Sequence, residues 1–334
     1  MKNWFNIIGT IIIFVLLVYI LKGINFHDVY ILLTKVKLFW FVLAVLSAGL
    51  VFFSSVFNLK FIFRDILKFD FFYFTEVVLI GAFFNTVTPS AGMGGEPFKA
   101  RYLSLKYKKP DNEVFAGVLL ESFFRLMVFF FFVLISIFFV LLFVKISYAL
   151  KIILEILLGF VLVMLFIIFW VIMKKSHSKW KFFFRKFYWF GFIRKRFKTE
   201  KEFMKYLKSK IGPSYHSFRK IVRKKENYFL GFLFAFGYWF ANFFTAYFLF
   251  LSFGHNFNFF LIIIVFILSQ IIGGLSPIPG GMGVVEGARI LLYSAVGVNP
   301  SLALLVAVLQ RVISYFYSLF LGGISLAHLK ISEV

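Results

Sequence analysis

Twice in this chain a long apolar stretch is broken by a Gly/Pro-rich motif, and each break is followed within a few residues by a glutamate and an arginine. The first copy, residues 88–101, reads TPSAGMGGEPFKAR; the second, residues 276–289, reads SPIPGGMGVVEGAR. Both open on a hydroxyl residue and proline, turn through Gly-Met-Gly, place a Glu two or three residues on, and close on Ala-Arg. Pro and Gly interrupt helices, so backbone groups here lose their regular partners. Hydrocarbon tolerates this only where protein or a water-filled cavity supplies substitutes. Broken helices at corresponding places in two halves of a chain point to a binding site at mid-membrane depth.

The apolar background makes the membrane setting explicit. Hydrophobic residues make up 62% of the chain and the mean hydropathy is +0.93. Several runs reach the roughly 20 residues that span hydrocarbon as a helix, and the alternating segments of about 10 residues that build a barrel are absent. The chain reads as an all-α polytopic membrane protein. Its 55 Phe residues have no fixed spacing and read as lipid-facing and packing groups. The absence of Cys excludes disulfides, thiol nucleophiles and Cys-based metal sites. The five His (His27, His177, His216, His255 and His328) are too scattered for a zinc site, so no metal or cofactor is expected. Lys2 and the apolar run 5–21 imitate a signal peptide but lack a small-x-small cleavage site, which predicts a retained first span.

Spanning segments are predicted at 4–21, 38–58, 114–144, 148–173, 228–252 and 301–327. Shorter pieces, 72–87 with 95–106 and 258–275 with 284–296, flank the two motifs. Charge decides how to thread them, because Lys and Arg collect on the cytoplasmic side. Segment 174–226 holds 19 Lys and Arg against three acidic residues, most of the formal net charge of +23. It falls in the cytoplasm when 72–106 is a hairpin entering and leaving from that side. By the same logic 258–296 is a hairpin from the external side. External loops then carry only Lys22, Lys35, Lys37, Lys145 and Lys151. The expected architecture is a single domain, 1–334, with about six spans and two re-entrant hairpins. Units 38–144 and 228–327 form an inverted repeat. An alternative of eight spans has each broken segment running on through the bilayer.

An ionisable group at the bilayer centre costs about 2.5–3.5 kcal/mol on insertion scales, so it needs a partner and usually a task. The candidates are Glu96 with Arg101, Glu286 with Arg289, Glu121 with Arg125 four residues on, and Arg311 on the span after the second hairpin. Spacing of three puts Glu286 and Arg289 on one helix face. Pro89, Gly92, Gly94 and Gly95, and Pro277, Pro279, Gly280, Gly281 and Gly283, supply the breaks. Arginine forks suit phosphate, and helix starts after a Gly turn offer free N–H groups. Together they predict a receiver for an anionic headgroup. The plain alternative is that each couple only locks two helices together. Neither motif fits a nucleotide-binding loop. In 174–226, rings such as Trp180, Phe182, Tyr188 and Trp189 alternate with basic residues. That pattern reads as a cytoplasmic interfacial element near anionic lipid, not as a nucleic-acid surface.

These blocks, with LQRVISYFYSL at 309–319, resemble the lysylphosphatidylglycerol synthase transmembrane region, a flippase-like family, over nearly the whole chain. The resemblance implies that Pro89, Gly92, Gly94, Glu96 and Arg101, with Pro277, Gly280, Gly283, Glu286, Arg289 and Arg311, are the motif positions. In members that carry a soluble aminoacyl-transfer domain, this region is associated with moving lysyl-phosphatidylglycerol between leaflets. The chain stops at Val334 without that domain, so lipid aminoacylation is not expected of it. The expectation is a lipid transporter of the cytoplasmic membrane, working on anionic lipids, with its amino terminus and 174–226 inside. Two other classes compete: an intramembrane lipid-modifying enzyme using Glu96 or Glu286 as base, and a non-transporting partner of such an enzyme. No nucleophile–base couple supports the former. The residues do not specify an oligomeric state.

Overall fold

The structure, a computed structural model, describes residues 26–88, 94–143, 155, 158–159, 161–163, 225–274, 276 and 278–332. The expected first span 4–21, the basic segment 174–226, most of 148–173, and Pro89, Gly92 and Pro277 lie outside the described residues. Every regular element among the described residues is helical. A short α1 (Phe26–Thr34) precedes α2 (Leu38–Phe63). The first hairpin is α3 (Phe71–Val87) and α4 (Glu96–Tyr107), and the long α5 (Asp111–Phe143) follows. After the basic segment the pattern repeats. Helix α6 (Lys225–Ser252) leads to a hairpin of α7 (Phe259–Gly274) and α8 (Val284–Ala295), then α9 (Pro300–Tyr315). A π-turn, Phe316–Leu321, joins α9 to α10 (Gly322–Ser332).

Four helices are long and apolar enough to cross a bilayer: α2, α5, Phe229–Ser252 of α6, and the run Pro300–Leu329. Local sequence sets where individual helices begin. Asn299 caps α9 by accepting from Ser301 N, with Pro300 in the first turn, where its missing N–H costs nothing. Asp70 caps α3 by accepting from Tyr73 N. On α2 the exposed large residues Phe39, Val42, Leu46, Leu50 and Phe53 recur at three or four positions and form one outward stripe. Such a stripe fits lipid contact.

The hairpin arms are shorter. At 1.5 Å per residue the 12 residues of α4 and of α8 reach only about 18 Å, against roughly 30 Å of hydrocarbon. Within each hairpin the chain folds back on itself. Phe98 stacks on Phe84, Tyr73 Oη donates to Tyr102 O at 2.7 Å, and Tyr107 lies against Phe74. A methyl group at Gly95 would sit 1.9 Å from the carbonyl oxygen of Gly81, so these two glycines let the arms touch backbone to backbone. In the second hairpin Arg289 reaches Ser269, and Val285 packs where a Cβ on Gly273 would go. Each broken segment therefore folds back on itself as a hairpin, rather than running onward as the eight-span alternative has it.

The inversion is visible in one helix pair. Lys37 N donates to Ser252 O, Ser47 Oγ to Ala241 O, and Asn58 Nδ2 to Gly231 O. As numbering rises along α2 it falls along α6, so these equivalent helices run antiparallel, and the two units they begin are inverted. One apolar cluster (Leu59, Phe63, Phe74, Phe124) fills one end of this pair, and another (Ala44, Leu249, Tyr293, Val306) fills the other. Between them, at the middle of both helices, lies the site.

Candidate functional site

A cavity of about 750 Å³ occupies this central layer. It is lined by both hairpins, by Ser55 of α2, by Tyr238 and Asn242 of α6, and by Arg125 and Arg311 from the helices that follow the hairpins. The two hairpin tips meet there: a methyl on Gly280 would stand 3.3 Å from the carbonyl oxygen of Thr86, at the end of α3. Gly280, Gly281 and Gly283 all have positive φ (60°, 62° and 78°), a conformation that favours glycine, and they turn the chain into α8. Gly94 and Gly95 lead into α4, and Gly95 N donates to Asn85 Oδ1 at 2.7 Å. Pro279 opens the short 3-10 turn Pro279–Gly281.

In the first half four charges form a closed network. Glu96, in the first turn of α4, accepts through Oε1 from Ser122 Oγ at 2.8 Å and from Arg125 Nη2 at 3.2 Å. Arg125 Nε lies 3.3 Å from Glu121 Oε1, and Lys99 Nζ lies 2.9 Å from Glu121 Oε2. Glu96, Lys99 and Glu121 are buried, while Arg125 keeps 17% of its side chain exposed, toward the cavity it lines. The guanidinium also lies 5.2 Å from the Tyr238 ring centroid, and the Arg125 backbone carbonyl accepts from Trp239 Nε1 at 2.9 Å.

The second half repeats the main contact. Glu286 Oε1 lies 2.7 Å from Arg311 Nε, while its Oε2 accepts from Gly283 N at 2.6 Å and so closes the start of α8. Arg311 Nη2 donates to Gly280 O at 2.7 Å, which ties the arginine to the hairpin tip. Arg311 lies 5.1 Å from the Tyr315 ring centroid and is 22% exposed at the cavity wall. Arg289 is buried. It donates to Gln310 Oε1 at 2.9 Å and to Ser269 Oγ at 3.2 Å, and stands over the Phe266 ring at 4.4 Å. Gln310 Nε2 in turn donates to Asn242 O at 3.0 Å.

The expected pairings within each motif need correction. Glu96 meets Arg125 on the next helix, not Arg101, and Glu286 meets Arg311, not Arg289. Arg101 is five residues past Glu96, about 140° around the helix, and so points away. It pairs with Asp111 at 3.1 Å, both largely exposed. The couple Glu121 and Arg125 forms as expected. The sequence reading passes over Lys99, although its spacing of three from Glu96 matches that of Arg289 from Glu286 and could have marked it. Ser122 and Gln310 carry no motif signal beyond lying one residue from a noted charge, and Asn85 none beyond lying three residues before the first motif. Among the described residues no group of three or more His, Asp or Glu is gathered as metal ligands.

Chemically, the wall presents two guanidinium groups, one from each repeat; Glu96 and Lys99 line it beside Arg125, while Glu286 holds Arg311 from outside the lining. Such a surface receives an anion, and Arg favours phosphate through its planar fork.

Comparisons with known proteins agree with the architecture. A family model described as the lysylphosphatidylglycerol synthase TM region matches residues 6–322. A UPF0104 membrane protein of Methanothermobacter thermautotrophicus is 28% identical over 243 residues, 72% of this chain and 70% of its own. One of Pyrococcus horikoshii is 30% identical over 258 residues, 75% and 74% respectively. A third, of Methanocaldococcus jannaschii, is 29% identical over 263 residues, 76% and 74%.

Proposed function

Because the chain belongs to the lysylphosphatidylglycerol synthase transmembrane family, and because its two inverted repeats share one cavity, we propose that it carries an anionic, phosphate-bearing lipid between leaflets. The observation that carries this reading is the placement of Arg125 and Arg311 on the wall of the same central cavity, each braced by the glutamate of its own hairpin. Inverted repeats that meet at a central site suit alternating access, in which one unit rocks against the other. The lipid phosphate sits between the two guanidinium groups, and the acyl chains leave toward the bilayer.

On this reading the carboxylates are counter-ions that position arginine, not bases, since each is engaged by a guanidinium or an ammonium. No covalent change to the lipid is part of the proposal. The setting is the cytoplasmic membrane, with the first hairpin opening to the cytoplasm, as the distribution of Lys and Arg argues.

The test is transfer of tail-labelled anionic phospholipid in vesicles reconstituted with the full chain. Wild type moves lipid faster than protein-free vesicles, and Arg311→Gln lowers the rate at least about tenfold, as expected when one partner of a charged contact is removed. Equal rates in the variant and wild type would remove the site.

A further inference from the structure

The two half-sites do not carry the same charge. Counted from its motif glutamate, each half places a cation three residues on, Lys99 and Arg289, and an arginine on the next helix, Arg125 and Arg311. In the first half Glu121, four residues before Arg125, receives Lys99, so two carboxylates face two cations. The equivalent position four before Arg311 is Ala307, which is fully buried. Glu286 is committed to Arg311 and to Gly283 N. Among the described residues no carboxylate pairs with Arg289. Its partners Gln310, Ser269 and the Phe266 ring are all neutral.

A guanidinium stays charged when buried, and a buried charge without a counter-ion is costly. Glu96, Glu121 and Glu286 stand against Lys99, Arg125, Arg289 and Arg311, which leaves the assembly one positive charge in excess. Arg289 does not line the cavity; it acts on it through Gln310, which does, and through the low dielectric around it. Its field is therefore felt by a ligand at Arg311 without any contact between them.

We infer that the ligand carries one net negative charge: a phosphodiester headgroup without an ammonium group. This rests on the lipid-transfer reading and narrows it. A single negative charge makes the filled site neutral. A phosphomonoester near full ionisation brings about two charges and overshoots. A zwitterionic headgroup leaves Arg289 uncompensated. A lysyl ester of phosphatidylglycerol, with one phosphate and two ammonium groups, adds positive charge to a site already positive. A soluble glycerophosphodiester shares the headgroup chemistry, but it does not use the apolar wall made by Phe52, Leu126, Phe129 and Val285.

The experiment compares transfer of tail-labelled phosphatidylglycerol, phosphatidic acid, phosphatidylcholine and lysyl-phosphatidylglycerol by the full chain in phosphatidylcholine vesicles. It is run at about pH 8, where a phosphomonoester is close to dianionic. Binding of soluble glycerophosphoglycerol is followed in parallel by thermal shift. Phosphatidylglycerol is expected to lead each of the others by about tenfold. Arg289→Gln should level phosphatidylglycerol with phosphatidylcholine, and Arg289→Lys should keep the ranking. Phosphatidic acid moving as fast as phosphatidylglycerol, or an unchanged ranking in Arg289→Gln, overturns the charge inference and leaves lipid transfer standing. Binding of the soluble diester with no lipid transfer supports the charge inference and overturns the lipid reading. Neither binding nor transfer overturns both. If Arg289→Gln fails to fold, the wild-type ranking alone decides.

Discussion

The two hairpins bring a glutamate to the same kind of place and then treat their remaining charges differently. On the first, Glu96, Lys99, Glu121 and Arg125 interlock with Ser122 into a buried, balanced network. On the second, Glu286 and Arg311 form one contact beside the tip, while Arg289 is braced by an amide, a hydroxyl and a ring. The backbone symmetry thus outlasts the electrostatic symmetry. A balanced buried network resists change, because removing any member strands another. On the inference drawn from Arg289, the unbalanced half is the one whose energy depends on what enters the cavity.

The sharpest way to break this comparison is to unbalance the first half. Glu121→Ala leaves Lys99 buried with only the longer contact to Glu96, 3.8 Å away, and should cost about 3–5 kcal/mol, whereas Glu121→Leu with Lys99→Met should recover most of it. Thermal unfolding in detergent checks both; a single variant as stable as the pair would show that the network is not closed. Next in size, Gln310→Leu removes the acceptor of Arg289 and the donor to Asn242 O, for an expected loss of about 1–3 kcal/mol. Since the second half lacks a network, that loss should be smaller than the loss in Glu121→Ala. The reverse order would invert the roles assigned to the two halves.

The smallest effect lies at the mouth of the first hairpin. Lys106 Nζ donates to Asp70 at 2.7 Å, and this bond, with the Tyr73 N–H, holds the Asp70 carboxyl below its ordinary range. A depressed folded-state value means that the contribution is present above the unfolded value and is lost as pH falls through the folded one. Because the pair is partly exposed, Asp70→Asn should cost only about 0.2–1 kcal/mol, and the difference from wild type should vanish in acid. A difference that persists at low pH would assign the effect to the cap rather than to the charge.

Much of this was legible before any coordinates. Gly and Pro within apolar runs gave away both hairpins, and the Lys and Arg distribution argued that they enter from opposite sides. The partners of the charges were less legible, because helix periodicity ranks neighbours on one helix and says nothing about the next. Arg101 shares a motif with Glu96 yet lies on the far face of α4, while Lys99 shares its face and went unnoticed. Arg289 does share a face with Glu286, but Glu286 is already taken by Gly283 N and Arg311. Those contacts exist only once each hairpin has folded against the following helix. Gln310 had no signature, since an amide that braces a guanidinium looks in sequence like any polar residue in a span.

The claim on which the rest depends is that the two hairpin tips face one shared cavity. The chain has no native Cys, so two introduced thiols report without background. Thr86→Cys and Ile278→Cys, both on the cavity wall, are treated in native membranes with a short bis-thiol reagent, and the chain is then cut at a protease site inserted within 174–226. A shared cavity predicts that the two fragments stay joined in the double variant and separate in each single one. Fragments that separate in all three, at full thiol labelling, would contradict it.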